Sequence, residues 1–238
     1  MNSDYSDIER RIWLEFEKLR TSSAPLAELV ESLLALGPVA IFGGFVRDQI
    51  HNALHNDSRP SRDIDLVLCG ALKETPNEEL GNNFGGHRRR VSESLTVDYW
   101  ELDRTYAFRR HLFEPRIENL PLTTVYSVNG CFLDIAARRF VEHNAIGDIA
   151  GRRIAFNCRD YLDVFPRYQA FRAMDLARRL NYKLDDEVRG FVQSQIERST
   201  FEEFYQDVRS HRRELTRQEM NALWEGFSCQ PMRELTGT

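Results

Sequence analysis

The chain has 238 residues, 42% hydrophobic and 29% charged, with a formal net charge of −5. That length suits one large domain or two small ones with an ordinary buried core, and the acidic balance argues against an extensive surface for gripping a long nucleic acid, which is usually basic. No apolar run approaches the roughly 20 residues of a membrane span. The polar start MNSDYSDIERRIW also lacks the apolar core of a secretory signal, so a cytoplasmic protein with no membrane partner is expected.

Residues 5–20 have the spacing of an amphipathic helix. A second helix is predicted to start at Ser23, a good N-cap, with Pro25 in its first turn. It runs through Leu26, Leu29, Val30 and Leu33 and stops at Gly37. Residues 39–42 read as a short apolar strand. A helix over 45–54 follows, burying Val46, Ile50 and Leu54 at every fourth position. A polar loop over 55–62 leads to a strand over 63–68. Residues 71–86 are a polar connector ending Asn82-Asn83-Phe84-Gly85-Gly86. Residues 91–102 suggest one or two strands, and 120–136 two more. From residue 161 the pattern is helical. The expected organisation is therefore an α/β head over 1–158, including the N-terminal helices, and a helical region over 159–238. Cys69, Cys131, Cys158 and Cys229 form no C-x-x-C pair and read as reduced thiols, so a zinc site is not expected.

The chemistry concentrates in 39–68, VAIFGGFVRDQIHNALHNDSRPSRDIDLVL. Asp63 and Asp65 are two apart on a strand, so they share a face, with Cα atoms roughly 7 Å apart at about 3.3 Å per residue. Two such acids repel each other unless a cation sits between them. Gly43 and Gly44 make a tight turn into a helix, whose first N–H groups are a seat for phosphate. Arg47, near that helix N-terminus, works against the dipole and calls for a phosphate or carboxylate partner, with an Arg–Asp ion pair the simplest.

The pattern GG-x-VRD followed by D-x-D, carried by Gly43, Gly44, Val46, Arg47, Asp48, Asp63, Ile64, Asp65 and Leu66, resembles the head of the tRNA nucleotidyltransferases (CCA-adding enzymes) and bacterial poly(A) polymerases. These belong to the DNA polymerase beta superfamily. The resemblance implies an α/β (α+β) fold, a polymerase-beta-like head with a small mixed sheet flanked by helices, and a helical region after it. It implies a two-metal Mg²⁺ site. Asp63 and Asp65 would be ligands, and Asp98, among the strand formers Thr96-Val97-Asp98-Tyr99-Trp100, would be the third acid that activates the attacking hydroxyl. Glu101 is the rival, pointing to the opposite face. Gly43, Gly44 and Arg47 would hold the nucleotide.

Two further matches are thin. Residues 123–130 align weakly with the family's Arg-Arg-Asp-x-x-x-Asn-Ala: Asn129 keeps the nucleotide-binding asparagine, while Thr123, Thr124 and Val125 replace Arg-Arg-Asp. Residues 165–182 resemble the nucleotide-selecting helix through Arg172, Ala173, Ala177, Arg178 and Leu180. Arg172 is retained as a nucleotide ligand, on a polar stripe with Asp175 and Arg179. Phe165, Pro166 and Gln169 replace the base-reading Glu-Asp-x-x-Arg. The cluster His87-Arg88-Arg89-Arg90 reads either as a holder of a triphosphate or incoming strand or as a solvated basic turn. The expected function is template-independent nucleotidyl transfer from an NTP or dNTP to RNA, a short oligonucleotide or a protein hydroxyl. A toxin, an antiviral defence enzyme or a signalling enzyme would fit, as a homo-oligomer or with a partner protein. The alternative is a catalytically idle head that binds nucleotide or a partner.

Overall fold

The computed structural model describes residues 5–61, 63–72, 80–81, 86–160 and 162–228, with backbone alone for 80–81. Cys229 and most of the 71–86 connector lie outside the described residues. The chain divides into two compact units, Met1–Gly151 and Arg152–Thr238.

In the first unit, α1 (Tyr5–Ser22) and α2 (Ala24–Leu34) precede β1 (Val39–Phe42), and α3 (Gly44–His55) separates β1 from β2 (Asp63–Leu68). Then come β3 (Leu80–Gly81), β4 (His87–Arg90), β5 (Thr96–Glu101), the short α4 (Tyr106–Arg109), β6 (Cys131–Asp134), β7 (Arg139–Glu142) and α5 (Ala145–Ala150). Seven strands form one mixed sheet in the order β3-β4-β5-β2-β1-β6-β7. The β2–β5 pair is parallel, and the others are antiparallel.

Strand alternation gives the sheet two different faces. Val39, Ile41, Ile64, Leu66 and Val97 are fully buried on one face. On the other face Ala40, Val67 and Phe132 join Leu102, Phe108 and Leu120 in a separate cluster, with Phe42 and Trp100 packed against it. The 102–123 segment thus covers this second face. Helices α1, α2 and α3, which contact β1, β2 and β6, take the first. The second face is apolar only in part: toward the N-terminal ends of β2 and β5 it carries Asp63, Asp65 and Asp98.

Ser23 caps α2 as expected, accepting from the Leu26 N–H at 3.4 Å, and Pro25 sits in its first turn. The loop after α3 is tied back to its helix. The side-chain oxygen of Asn52 accepts from Arg59 N at 2.8 Å, its amide nitrogen donates to Arg59 O at 3.1 Å, and His51 Nε2 lies 3.1 Å from Asp57 Oδ2.

That loop has a consequence in acid. Burial lowers the His51 pKa below its ordinary 6.5, outweighing the hydrogen bond to Asp57. Burial also lowers His87, with Arg104 adding to the effect. A histidine whose folded pKa is depressed contributes stability that is complete above its unfolded value and is lost as the pH falls. Asp57, held down to about 2 chiefly by the Ser58 N–H, stays ionised through this range. The unfolding free energy is expected to decline below pH 6.5, by at most about 1.4 kcal/mol per pH unit for each histidine. His51→Gln is expected to flatten that slope in urea titrations between pH 7.5 and 5. An unchanged slope would place the acid sensitivity elsewhere.

Three sequence expectations need correction. Residues 87–90 are a strand, not a turn; the single strand within 91–102 agrees with the expectation, with Val91 N bonding Leu95 O at 3.1 Å in the turn before it. Residues 120–136 contribute one strand, not two. Ile117–Thr123 and Ser127–Asn129 are 3₁₀ turns, because Pro121 has no N–H for a ladder and the Thr123 hydroxyl donates to Leu120 O at 2.7 Å. The second unit is not wholly helical.

In that unit, β8 (Arg153–Ile154) pairs in parallel with β9 (Lys183–Leu184), on either side of α6 (Pro166–Leu180). Helices α7 (Asp186–Glu197), α8 (Phe201–His211) and α9 (Arg217–Ser228) follow. α6 packs on α7, α8 and α9, burying Phe171, Met174 and Leu180. Thr200 and Glu203 form a capping box at the start of α8. Among the described residues no helix is long and apolar enough to cross a membrane.

Candidate active site

Strand register assembles the acids. Asp65 lies directly opposite Asp98 across the parallel β2–β5 pair, and Phe42 lies opposite Asp65 across β1–β2. On the far side of β5, Arg88 lies opposite Asp98. Phe42, Asp65, Asp98 and Arg88 therefore form one row across four strands, on one face, at about 4.8 Å per strand. Asp63, exposed at the start of β2, shares that face.

The glycine turn abuts this row. Gly43 directly follows Phe42, with φ 68° and ψ −114°, a conformation open to glycine. A Cβ built on it would lie 3.9 Å from Asp65 Oδ2, so the carboxylate stands beside the turn. Gly43 N donates to Cys131 O at 3.0 Å, which pins the turn to β6. Among the described residues no side chain caps α3 at Gly43, and the first N–H groups of a helix have anion-binding character.

Arg47 is buried, 7% exposed. Asp48 Oδ1 lies 2.8 Å from both its Nε and its Nη2, and Nη1 donates to Asn129 Oδ1 at 2.7 Å. Two residues expected to bind nucleotide thus meet each other, and Asp48, to which the sequence pattern assigns no site role, supplies the carboxylate the helix dipole calls for. The guanidinium braces the turn. A Cβ on Gly44 would lie 3.7 Å from Arg47 Nη2. Asn129 is itself set on a 3₁₀ turn, held to α5 by the Ser127 hydroxyl donating to Asp148 Oδ2.

Asp98 is bonded at both oxygens: Arg88 Nε donates to Oδ1 at 2.8 Å and Nη2 to Oδ2 at 2.7 Å. The hydrogen bond to Asp98, aided by the charges of Asp98, Asp63 and Asp65, raises the Arg88 pKa further. In the sequence Arg88 is legible only as part of a basic cluster. Its partner depends on hairpin register, which no local pattern specifies. Glu101 drops out as the third acid: it faces away, pairs with Arg104 and accepts from Leu72 N at 2.8 Å.

Among the described residues, no three acidic, histidine or cysteine side chains are already gathered around a point where a metal ion would sit. The donor chemistry nevertheless fits Mg²⁺: hard carboxylate oxygens on adjacent strands, with a guanidinium already standing against one of them as counter-charge. Asp63 and Asp65 would be the first ligands. Asp98 would join them on leaving Arg88.

Arg172 belongs to the second unit. It is half-buried on α6 and has no ion-pair partner among the described residues, while Arg179 pairs with Asp175 at 3.0 Å and Arg178 is exposed. Gln169 is buried and Phe165, the N-cap of α6, is exposed. Cys69 and Cys131 are free thiols, Cys158 Sγ donates to Asp160 Oδ2 at 3.7 Å, and burial raises Cys69 to about 11.

The fold is the one seen in solved structures of CCA-adding enzymes and tRNA nucleotidyltransferases. Among solved structures the chain is similar to a CCA-adding enzyme in complex with ATP, at TM-score 0.55 and 15% identity, covering 85% of this chain and 52% of that one. It is similar to a tRNA nucleotidyltransferase complexed with a primer tRNA and an incoming ATP analogue, at 0.55 and 16%, covering 84% and 60%. A third is the Thermotoga maritima CCA-adding enzyme complexed with tRNA, at 0.53 and 15%, covering 80% and 47%. The chain thus spans between 47% and 60% of these structures' own lengths. No family model matches the sequence, and no curated protein does.

Proposed function

We propose that the chain is a template-independent nucleotidyltransferase that moves a nucleoside monophosphate from an NTP or dNTP to a hydroxyl group. The observation that carries this is the register of Asp65 with Asp98, on one face, beside the Gly43–Gly44 turn. The first N–H groups of α3 would seat the triphosphate. Asp98, once off Arg88, would accept the proton of the attacking hydroxyl as its oxygen bonds to the α-phosphorus and pyrophosphate leaves. Arg47, through Asp48 and Asn129, keeps the turn in shape. Mg²⁺ bound by Asp63, Asp65 and Asp98 would neutralise the charge of the reacting phosphates.

The solved structures with ATP, an ATP analogue and tRNA support a nucleoside triphosphate as donor and RNA as acceptor, with a short oligonucleotide or protein hydroxyl as the other candidates. Faithful C-C-A addition is not part of the reading, because Phe165 and Pro166 offer a base edge no hydrogen-bonding side chain. A cytoplasmic role in toxicity, antiviral defence or signalling fits a head without that selection.

The test supplies each labelled NTP and dNTP with Mg²⁺, with and without RNA, including tRNA lacking its 3′ end, and sequences the products. Addition of mainly one nucleotide, adenine first, is the expected result. Restoration of C-C-A would overturn the base-choice reading. No transfer to RNA, oligonucleotide or protein, with no pyrophosphate released, would overturn the enzyme. It would leave a nucleotide-binding module, a reading that the closed Arg88–Asp98 pair favours.

A further inference from the structure

We propose that Arg88 is a positioning residue that holds Asp98 away from Asp65 and competes with a divalent cation for its carboxylate. This rests on reading the acid row as a metal site. β5 is the middle strand of the row, with β2 on one side and β4 on the other. The Asp98 carboxylate can therefore serve Asp65's side or Arg88's, and here both its oxygens face Arg88. A fork of two parallel hydrogen bonds fixes the plane of the carboxylate as well as its direction.

The pair is built to open. Arg88 is 55% exposed while Asp98 is 17% exposed, so water can receive the guanidinium as it leaves. Its neighbours do not compete for the same place. Arg90, two residues on and on the same face, donates instead to Ser92 O at 3.2 Å and Glu93 O at 3.1 Å. Without a cation, three carboxylates on one face repel, and Arg88 offsets that charge at Asp98. A doubly charged cation arriving at Asp63 and Asp65 supplies that counter-charge itself. It draws Asp98 toward it and repels the guanidinium. The apo site is thus neutralised only at Asp98, and a cation must displace Arg88 to gain that carboxylate as a ligand.

The probe is Mn²⁺, titrated into the full chain without nucleotide and read by electron paramagnetic resonance and calorimetry. Arg88→Ala is expected to bind Mn²⁺ about five-fold more tightly than wild type, the scale of losing a partly exposed competing ion pair. Arg88→Lys, which cannot span both oxygens, is expected to fall between, and it keeps the test open if the alanine variant folds poorly. In an Asp98→Asn background, replacing Arg88 is expected to raise Mn²⁺ affinity by less than it does with Asp98 in place, since only the pull of Asp63 and Asp65 on the guanidinium is left to lose. Equal or weaker Mn²⁺ binding in both single variants would overturn the latch and make Arg88 a strut between strands. No saturable Mn²⁺ binding in any protein, wild type included, would overturn the metal site beneath it and the latch with it.

Discussion

Asp65→Ala is expected to lower nucleotidyl transfer by on the order of 10³-fold or more, since a metal ligand supplies several kcal/mol of transition-state stabilisation. Asp63→Ala is expected to do the same. Asp65 is the pivot of the row, lying opposite Asp98 on one side and beside Gly43 on the other. The fold is not expected to suffer. Asp63 is exposed and Asp65 half-buried, and removing one of several neighbouring carboxylates relieves repulsion. Incorporation of labelled nucleotide, beside thermal melts followed by circular dichroism, separates the two effects. Wild-type transfer by both variants would remove the acid row from the chemistry.

The second large effect is expected at the glycine turn, where adjacent glycines should respond in opposite ways. At Gly43, φ 68° with ψ −114° is costly for any L side chain, so Gly43→Ala is expected to destabilise by about 1–3 kcal/mol. The cause would be backbone strain, because among the described residues the added methyl meets only Asp65 Oδ2, at an ordinary 3.9 Å. Transfer should fall with it, as the turn shifts relative to the acids. Gly44 is the first residue of α3, and a methyl there meets Arg47 Nη2 at 3.7 Å. Gly44→Ala is expected to hold stability or raise it by up to about 1 kcal/mol by restricting the unfolded chain. Urea midpoints of the two variants test the contrast, and coinciding midpoints would mean that the turn is not strained.

Much of this arrangement is legible in the order of residues alone. The four-residue β1 and the acid strand stand out because each is an apolar run closed by punctuation: Pro38 before and Gly43-Gly44 after the first, a polar loop before the second. α2 is marked by Ser23 and Pro25. What stays hidden depends on pairing. Four consecutive basic or imidazole side chains show no apolar alternation, so β4 resembles a turn, and only the hairpin register reveals that Arg88 meets Asp98. The Asp48 partner of Arg47 is adjacent in sequence, yet sequence leaves open the choice between a carboxylate and a phosphate; the folded chain gives it a carboxylate. Residues 120–129 carry Leu, Thr, Val and Tyr residues that read as a strand, but Pro121 and side-chain hydrogen bonds to the backbone leave 3₁₀ turns on either side of Thr124.

The row across β1, β2, β5 and β4 also governs how the first unit responds to what it binds. Its members come from four strands reached by separate excursions of the chain, so no fragment carries the arrangement, and local opening of one strand dissolves it. Occupancy there is coupled to the opening of any of those four strands, up to the global unfolding of the sheet. A ligand seated on that row would act as a thermodynamic clasp, and protection from hydrogen exchange would spread to amides of the central strands far from any point of contact.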